Sequence, residues 1–413
     1  MVDRAPAVSM TGRERWLVAA TELAGVTAYT GGIGSHYAAL LPALQRSGAD
    51  VDLVLFSDSD QVGDPEDDAI RLRRYVRTDG MSRTAALGRC AQVVREVFGE
   101  RRYARVFLPE WRALGSALPS RAPLLTNLAT GMRLVHEVSG LELGDLPHET
   151  RLAAAVQMSL EERQIRRSAG LIAISSAMQA RVTAMFGPLP PARVVRNCVD
   201  IAAIRAAAVS AGLPSGWPPR NSPASPIVLF LGRAERRKGV VDAISAFGRL
   251  WRRLPSAHLV LAGAGGDARF EPRRADLLSL LPEDARRNVT WLGHVRGPEL
   301  SAAIAASDVA MTPSRWEGFG NVALEVKAIG TPLVATSGSG FDDFCADGVD
   351  CLLVPPADPA ALADALWRAV NDPAASRSRA DVALRQVQEY APDPVAADLR
   401  RAADDLLGPA TED

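Results

Sequence analysis

The stretch DVAMTPSRWEGFGNVALEVKAIGTPLVAT, residues 308–336, decides the fold class of this chain. It contains two short runs that are continuously apolar, VAMT at 309–312 and LVA at 333–335. Such runs are typical of parallel strands that are buried on both faces of a sheet. A helix is predicted between them, from Gly320 or Asn321 to Ile329, so the stretch predicts one strand–helix–strand unit.

The same alternation of short apolar runs and longer helical stretches extends along the whole chain. In the first half, strands are predicted at 16–20, 51–56, 105–108, 124–127, 170–174 and 193–196. In the second half, they are predicted at 227–231, 258–262, 289–292, 309–312, 333–335 and 351–354. The alternation predicts an α/β chain with two Rossmann-like doubly wound domains, and its 413 residues accommodate two domains.

The boundary between the domains is predicted at GLPSGWPPRNSPASP, residues 212–226, because this segment is dense in Pro, Ser and Gly. The N-terminal domain is then 1–211 and the C-terminal domain 227–390. The remaining residues, 391–413, include a charged amphipathic helix that either caps the second domain or crosses back to the first. Ligands of open α/β sheets bind at the carboxyl ends of the strands, so functional residues are expected in the loops there.

Composition and charge argue against several classes of protein. The net charge of −1 gives no general attraction to nucleic acid or to an anionic membrane. The four cysteines lack metal-ligand spacing, which fits a reducing cytosol. The N-terminus does not resemble a signal peptide, and no apolar run approaches the roughly 20 residues that span a bilayer. The sequence predicts a cytoplasmic protein; it leaves peripheral membrane contact and the oligomeric state open.

A glycine-rich turn, TGGIG at residues 30–34, follows the first predicted strand and precedes a helix expected from about Ser35. Glycines let a backbone approach an anion closely, and a helix N-terminus offers free N–H groups. The turn is neither G-x-G-x-x-G nor a Walker A motif. An ordinary strand–helix turn is therefore an equally good interpretation.

A second loop, LGRAERRKG at residues 231–239, follows the first predicted strand of the second domain. Arg233 can bind phosphate oxygens through its planar fork, and Lys238 offers a point charge on a flexible stem. The alternative is an exposed basic loop without a ligand.

The third motif is EGFGNVALE, which places Glu317 in a loop and Glu325 about one turn into the predicted helix. The N–H groups at the start of this helix suit a diphosphate. Flanking carboxylates would repel a diphosphate unless they accept hydrogen bonds from hydroxyl groups. A ligand with a central diphosphate and a sugar at each end satisfies both conditions. In the alternative, Glu317 favours the helix dipole and Glu325 faces solvent.

In order and spacing, these motifs resemble the retaining glycosyltransferases of family 4, which have the two-domain GT-B fold. The resemblance spans roughly residues 16–390 and also includes EERQIRRSAGLIAISSAMQARV, RVVRNCVDI, HLVLAGAG, VTWLGHV and GVDCLLVPPADPAALADAL. It implies transfer of a sugar from a nucleoside diphosphate, UDP or GDP, to a hydroxylated small-molecule or glycan acceptor. It also implies that configuration is retained and that neither a metal nor another cofactor is needed.

The resemblance also implies roles for particular residues. Arg233 and Lys238 would neutralise the diphosphate leaving group, and Glu317 would hold the transferred sugar, so these three are the expected catalytic residues. The implied donor-binding residues are Gly32 and Gly34 at the phosphate, Gly293, His294 and Val295 at the base, Gly318, Phe319, Gly320, Asn321 and Val322 at the sugar and phosphates, and Glu325 at the ribose.

The sequence departs from the family pattern after the fourth strand of the first domain, where members usually carry a histidine. Here Ala129 occupies the aligned position. The candidates for replacing that histidine at the acceptor side are Asn127, Thr130 and His136. Two more acceptor candidates, Glu110 and Trp111, follow a predicted strand and are expected to face the cleft.

Three alternative functions stay open at this level. Asp58 and Asp60 form a D-x-D, the motif by which single-domain glycosyltransferases hold a divalent metal, although a solvated acidic turn is the simpler interpretation. A GT-B phosphorylase or sugar-nucleotide epimerase would share the donor motifs. A non-catalytic nucleotide-sugar-binding subunit is the third alternative, and Ala129 is the reason for it.

Overall fold

Two parallel sheets form the framework of the molecule. The computed structural model describes residues 14–65, 70–220, 225–267, 270–295 and 297–409. Within this part, one sheet has seven strands and the other six. All of the strand pairings in both sheets are parallel. The α/β class and the two doubly wound sheets expected from the sequence are therefore confirmed.

The first sheet has the strand order β3-β2-β1-β4-β5-β6-β7. Its strands are β1 (Glu14–Ala20), β2 (Ala49–Ser57), β3 (Arg71–Arg77), β4 (Arg105–Pro109), β5 (Leu124–Leu128), β6 (Gly170–Ala173) and β7 (Ala192–Val194). The helices connecting them are α1 (Gly32–Arg46), α2 (Arg83–Glu100), α3 (Met132–Ser139), α4 (His148–Arg167) and α5 (Ser176–Phe186). The order of connection reverses between β1 and β4, and such a switch point opens a crevice for ligands.

The second sheet has the order β10-β9-β8-β11-β12-β13. Its strands are β8 (Ile227–Leu231), β9 (His258–Ala262), β10 (Val289–Gly293), β11 (Val309–Thr312), β12 (Leu333–Thr336) and β13 (Leu352–Val354). The remaining helices are α6 (Ile201–Ser210), α7 (Val240–Arg253), α8 (Arg274–Ser279), α9 (Gly297–Ala306), α10 (Asn321–Ile329), α11 (Pro359–Asn371), α12 (Pro373–Gln386) and α13 (Pro392–Leu407). The switch point lies between β8 and β11, whose following loops carry the Arg233–Lys238 motif and Glu317.

The chain passes between the two sheets at two neighbouring places. The N–H of Val199 donates to the carbonyl of Tyr390 at 3.1 Å, which ties the outgoing and returning segments together. After the outgoing passage, α6 packs against α9 and α10. After the return, α13 packs against α1, β6 and β7. We call β1–β7 with α1–α5 and α13 the first lobe, and β8–β13 with α6–α12 the second lobe.

The segment expected to link the domains is attached to the second lobe where it is described. Trp217 packs against the hydrophobic core that includes β8 and β11 residues. Arg220 donates to Asp308 at 3.1 Å, just before β11. The contacts of α6 and of these two residues place the passage between the lobes near Val199.

None of the helices in the described parts of the chain has the length and apolar character needed to cross a bilayer.

Candidate functional site

The loop between β11 and α10 holds the start of the helix open to a ligand. Gly320, the N-cap of α10, has φ of 105°, and a Cβ there would lie 2.2 Å from Phe341 Cε1. Both facts exclude a side chain at this position. The N–H groups of Asn321 and Val322 have no acceptor among the described residues. The turn therefore presents unpaired donors at the positive end of a helix, which suits an anion.

Beside this turn, Lys238 and Glu317 form an ion pair. The Lys238 ammonium donates to Glu317 Oε1, which also accepts a hydrogen bond from Ser314 Oγ at 2.7 Å. Burial acts to raise the pKa of Glu317, but the charges of Lys238 and Arg237 outweigh burial and lower it. Burial lowers the pKa of Lys238, and the attraction of Glu317 offsets that effect only in part. The expected catalytic residues Lys238 and Glu317 are thus in direct contact, with the carboxylate ionised.

The geometry of the chain before α7 fixes Lys238 in this place. Arg236–Lys238 form a single 3-10 turn that ends at Gly239, whose φ is 73°. A Cβ on Gly239 would lie 1.9 Å from the carbonyl oxygen of Pro313, in the loop after β11. The two loops are therefore packed backbone against backbone, which brings Lys238 to Glu317.

Arg233 lies nearby but is not part of the ion pair. Its side chain is 47% exposed, and its Nε lies 3.0 Å from Glu235 Oε1. Glu235 also binds Arg237 at 3.0 Å. Arg233 is thus a solvent-accessible cation whose charge is partly balanced by Glu235.

Glu325 lies one turn along α10 and has a different environment from Glu317. Burial raises the pKa of Glu325 to about 7. Its carboxylate has no hydrogen-bond partner among the described residues, so nothing offsets the burial. Glu325 is partly exposed, so hydroxyl groups of a ligand could reach its carboxylate and supply the donors it lacks.

The glycine-rich turn of the first lobe has a partner that the sequence did not suggest. The carboxylate of Glu22, which follows β1, accepts hydrogen bonds from the N–H groups of Gly31 at 2.9 Å and Gly34 at 2.8 Å. The N–H of Gly34, which was expected to approach the donor phosphate, is therefore already used by the chain itself. The N–H of Gly32 has no acceptor among the described residues and stays open.

Asn321 joins this turn to the second lobe. Its Nδ2 donates to the carbonyl of Gly32 at 2.8 Å, and its Oδ1 accepts from Asn197 Nδ2 at 2.9 Å. Cys198, the residue after Asn197, donates from its N–H to His36 Nδ1 at 3.0 Å. The amide side chain of Asn321 therefore joins the start of α10 both to the glycine-rich turn and to the segment that passes between the lobes.

The loop carrying Ala129 directly faces the loop between β11 and α10, residues 313–320, which carries expected donor-binding residues and is called the donor loop below. A Cβ on Gly318 would lie 3.2 Å from the carbonyl oxygen of Ala129. The Ala129 N–H donates to Glu110 Oε2 at 2.8 Å, and Thr130 Oγ1 donates to the Ala129 carbonyl. The place aligned with the usual histidine therefore lies at the junction of the lobes, and its side chain is a methyl group.

Glu110 is buried behind this loop, where it accepts a hydrogen bond from the Ala129 backbone, and it does not face the cleft. It is only 2% exposed. Burial, with a smaller contribution from neighbouring Glu161, raises the pKa of Glu110 to about 8. Glu161 is itself buried, and burial raises its pKa to about 7. The expectation that Glu110 faces the cleft is wrong in this structure, because its carboxylate is needed to satisfy the Ala129 backbone.

The other acceptor candidates are placed differently from one another. Asn127 is 2% exposed and donates to the hydroxyl of Tyr37 at 3.2 Å, so it belongs to the core. His136 is partly buried, and burial and the nearby Arg83 lower its pKa. Trp111 is partly exposed and begins a short turn in which the next residue, Arg112, has φ of 61°. Trp111, Thr130 and His136 therefore remain the accessible acceptor candidates.

An aromatic contact between the lobes was not expected from the sequence. The rings of Tyr29 and His294 are stacked, with centroids 6.0 Å apart and planes 26° from parallel. His294 belongs to the segment 293–295 that the family resemblance assigns to the base. The only local signal for Tyr29 is its position two residues before Gly31.

Metal-binding residue types do not gather at this site in the described residues. Asp58 and Asp60 are exposed, and Asp60 accepts a hydrogen bond from Arg77 at 2.5 Å. The group of potential ligands that does lie together is Cys345, Asp350 and Cys351. Both oxygens of Asp350 already accept hydrogen bonds, from Lys327 Nζ at 2.9 Å and from the Ala346 N–H at 3.0 Å.

Comparisons with known proteins agree with this geometry. Residues 31–198 match the family described as "Glycosyl transferase 4-like domain", and residues 225–372 match "Glycosyl transferases group 1". Glycogen synthase of Mycobacterium tuberculosis is 36% identical over 235 residues, which are 55% of this chain and 52% of that protein. The matched part is thus about half the length of that relative.

Solved structures share the fold over nearly the whole chain. Sucrose-phosphate synthase from Thermosynechococcus elongatus has a TM-score of 0.71 and 23% identity, covering 95% of this chain and 99% of that one. HepE of Anabaena, solved in complex with UDP, has a TM-score of 0.63 and 16% identity, covering 95% and 100%. With a glycosyltransferase domain matched in each lobe, the chain belongs to the GT-B glycosyltransferases of the family 4 type.

Proposed function

We propose that the chain is a metal-independent, retaining glycosyltransferase that moves a sugar from UDP or GDP to a hydroxyl group of a small molecule or glycan. The observation that carries the proposal is the β11–α10 segment. It joins the Lys238–Glu317 pair, the unpaired N–H groups of Asn321 and Val322, and the unpartnered carboxylate of Glu325. These groups match a sugar, a diphosphate and a ribose in that order.

The chemistry follows from where charge develops. Breaking the glycosyl–phosphate bond leaves positive charge on the sugar and additional negative charge on the diphosphate. Lys238, Arg233 and the α10 N–H groups would stabilise the diphosphate, and preorganised groups of this kind supply much of an enzyme's rate enhancement. As phosphate oxygens attract Lys238, Glu317 is released to accept hydrogen bonds from the sugar hydroxyls.

Retention is proposed to follow from attack on the same face that the diphosphate leaves. The acceptor hydroxyl forms the new bond to the sugar carbon, and its proton passes to a phosphate oxygen of the leaving group. No protein carboxylate has to act as an in-line nucleophile in this route. Two carboxylates have environments that support this route. Glu110 is bonded to the Ala129 backbone, and Glu317 is paired with Lys238.

The same site suggests how water is kept out and why a metal is not required. Gly318 and Asn321 contact the first lobe, so closure of the lobes over the donor would favour transfer over hydrolysis. Lys238 and Arg233 supply the positive charge that a divalent metal provides in other sites. The cytoplasmic location and the absence of a nucleic-acid partner stay predictions.

Substitution of Lys238 and Glu325 tests the proposal. With a UDP- or GDP-sugar that the protein turns over, we expect Lys238→Ala to lower kcat/KM by about 100-fold or more, as removal of one preorganised charge-stabilising group does. Glu325→Ala should mainly raise the donor KM, and excess EDTA should leave the rate unchanged. Steady-state assays of transfer measure all three effects.

Two exposed substitutions serve as controls. Arg249→Ala removes a cation on α7, and Glu299→Ala removes a carboxylate on α9, both on exposed positions. Both should keep the wild-type rate. Transfer by Lys238→Ala or Glu325→Ala within a few-fold of wild type would refute the assignment, and strict metal dependence would favour the Asp58–Asp60 interpretation.

A second candidate function is a nucleotide-sugar-binding subunit without catalysis, and Ala129 at the lobe junction is the observation that favours it. Tight binding of a nucleotide-sugar with no transfer to a panel of acceptors would support this candidate. Incubation of the donor with phosphate and no acceptor distinguishes a phosphorylase or an epimerase from a transferase. A phosphorylase would show phosphate-dependent exchange, and an epimerase would form an epimer of the donor.

A further inference from the structure

We propose that Tyr29 binds the nucleobase of the donor by stacking, with His294 on the opposite face of the base. The base would then be held by both lobes. This inference rests on the proposed function, since it assigns a further residue to the donor site.

The first observation is the position of the two rings. Tyr29 lies in the loop after β1 and is 52% exposed, so its ring is accessible to a ligand. Its ring faces His294, in the loop after β10, at 6.0 Å and 26°. Gly293, with φ of 71°, turns the chain so that His294 follows the strand at the edge of the cleft.

The second observation is that the backbone of Tyr29 is firmly held. Thr27 Oγ1 donates to the carbonyl of Tyr29 at 2.7 Å and accepts from the Leu23 N–H at 2.9 Å. The neighbouring Val62 N–H donates to the Val26 carbonyl at 3.0 Å. The held backbone reduces the conformational freedom that the loop would lose when the ring binds a ligand.

The third observation is that the same loop reaches the diphosphate site. Three residues after Tyr29, the carbonyl of Gly32 accepts from Asn321 at the start of α10. One end of the loop therefore contacts the base segment 293–295 and the other contacts the phosphate-binding turn. A nucleoside diphosphate lying along this loop would place its base at Tyr29 and its phosphates at Asn321.

The spacing of the rings indicates how the base would enter. A flat base between two rings needs about 7 Å, twice the optimal carbon–carbon contact of about 3.5 Å. The centroids of the two rings are only 6.0 Å apart, so the rings have to separate for a base to enter between them. In the described residues the chain crosses between the lobes near Val199 and Tyr390, and the other contacts between the lobes are noncovalent, such as Asn321 to Gly32. A small opening and reclosure is therefore compatible with the fold.

Substitution of Tyr29 tests the inference by titration calorimetry. The probe is whichever of UDP, GDP and ADP the wild-type protein binds. We expect Tyr29→Ala to weaken binding roughly 10-fold, within the range measured for loss of base–aromatic stacking. Tyr29→Phe keeps the ring and should bind within about two-fold of wild type.

A second readout separates stacking from a structural role of the loop. Pyrophosphate has no base, so its inhibition constant should be the same in Tyr29→Ala and wild type. Leu280→Ala is the matched control, since Leu280 is 48% exposed and lies at the end of α8. It should change neither binding nor inhibition.

The outcomes distinguish this inference from the proposed function. Nucleotide binding by Tyr29→Ala within two-fold of wild type would refute the stacking role and leave the function standing. Equal weakening of pyrophosphate and nucleotide would also refute it, because the loop would then act on the phosphates. A wild-type protein that binds none of the three nucleotides would instead overturn the proposed function.

Discussion

At Lys238 and Glu317, burial and charge act against each other, and the result is a pair that is ready to exchange partners. Burial disfavours both charges, and each charge compensates the other. Breaking such a pair from one side leaves an uncompensated buried charge. A donor that presents anionic oxygens to Lys238 and hydroxyl groups to Glu317 would satisfy both at once, which argues for binding by these residues in preference to acid–base chemistry.

Glu110 gives a prediction about pH. Its pKa is raised from 4.5 to about 8, chiefly by burial, so the native state binds this proton more tightly than the unfolded chain does. The contribution of Glu110 to the free energy of unfolding is therefore fully present at low pH, and it is lost as the pH rises from about 4.5 to about 8. Glu110→Gln stays neutral and keeps an acceptor for the Ala129 N–H. Between pH 5.5 and 8.5, wild type should lose on the order of 2–3 kcal/mol of unfolding free energy relative to this variant.

Urea denaturation at several pH values measures this difference. Glu149→Gln is the control for a carboxylate-to-amide change at an exposed position, on α4. A difference between wild type and Glu110→Gln that does not change with pH would show that Glu110 is ionised in the native state.

The residues of the site were predictable to different degrees. Lys238 and Glu317 were identified because each lies in a motif next to a predicted strand, and the fold brings the loops after β8 and β11 together. Glu22 and Tyr29 were missed, because their partners are set by loop packing. Glu22 binds a turn nine or more residues away, and Tyr29 meets a ring from the other lobe. Local sequence carries little information about such contacts.

At the scale of elements, continuously apolar runs predicted the buried strands, and each predicted run overlaps a strand of the structure. The strand of the first sheet that was not predicted is β3, RLRRYVR, whose residues are all exposed or partly exposed at an edge of the sheet. Its arginines pair with Asp50, Asp52 and Glu100. Charged edge strands protect a sheet from pairing with other chains. A search for continuously apolar runs does not detect them, because their residues are largely charged.

The start of α10 gives a prediction about stability. Gly320→Ala meets two penalties, because φ is 105° and the new Cβ would lie 2.2 Å from Phe341 Cε1. Gly338→Ala is a matched control, with φ of 82° and no heavy atom within 4 Å of its Cβ. We expect Gly338→Ala to cost about 1–2 kcal/mol, and Gly320→Ala about 1–3 kcal/mol more.

Chemical denaturation of the two variants compares these costs. Gly320→Ala should also weaken nucleotide binding, because the N–H groups of Asn321 and Val322 would be displaced. Equal destabilisation by the two substitutions would mean that Phe341 moves aside freely and that the turn is not rigid.

At the scale of the whole molecule, the candidate site is built from contacts between lobes that neither half of the sequence specifies alone. Asn321 binds Gly32 and Asn197, and Ser175 Oγ donates to the Gly318 carbonyl at 2.5 Å. These contacts attach the donor loop itself to the first lobe. The sequence predicted the two sheets, but the partners across the cleft depend on how the lobes pack together, which local sequence patterns do not specify.

Asp343 allows this coupling to be tested. Its carboxylate accepts from the Ser176 N–H at 3.1 Å and from Arg196 Nε at 3.2 Å, both of the first lobe. Asp343→Ala removes these bonds, so hydrogen exchange at the Ser176 amide should speed up by about 10-fold or more as this contact opens locally. The transfer rate should fall several-fold, because closure of the lobes positions the donor. Hydrogen-exchange mass spectrometry measures the exchange rate at Ser176, and a transfer assay measures the transfer rate.

The neighbouring Asp342 is the control for this experiment, since it accepts from the Gly338 N–H at 2.8 Å within the second lobe. Asp342→Ala should disturb the turn beside Phe341 without changing exchange at Ser176. If both variants accelerate exchange equally, the effect belongs to the turn and not to the contact between lobes. If Asp343→Ala opens the contact but keeps the full transfer rate, this contact is not needed for closure, and Asn321 and Ser175 alone must hold the donor loop in place.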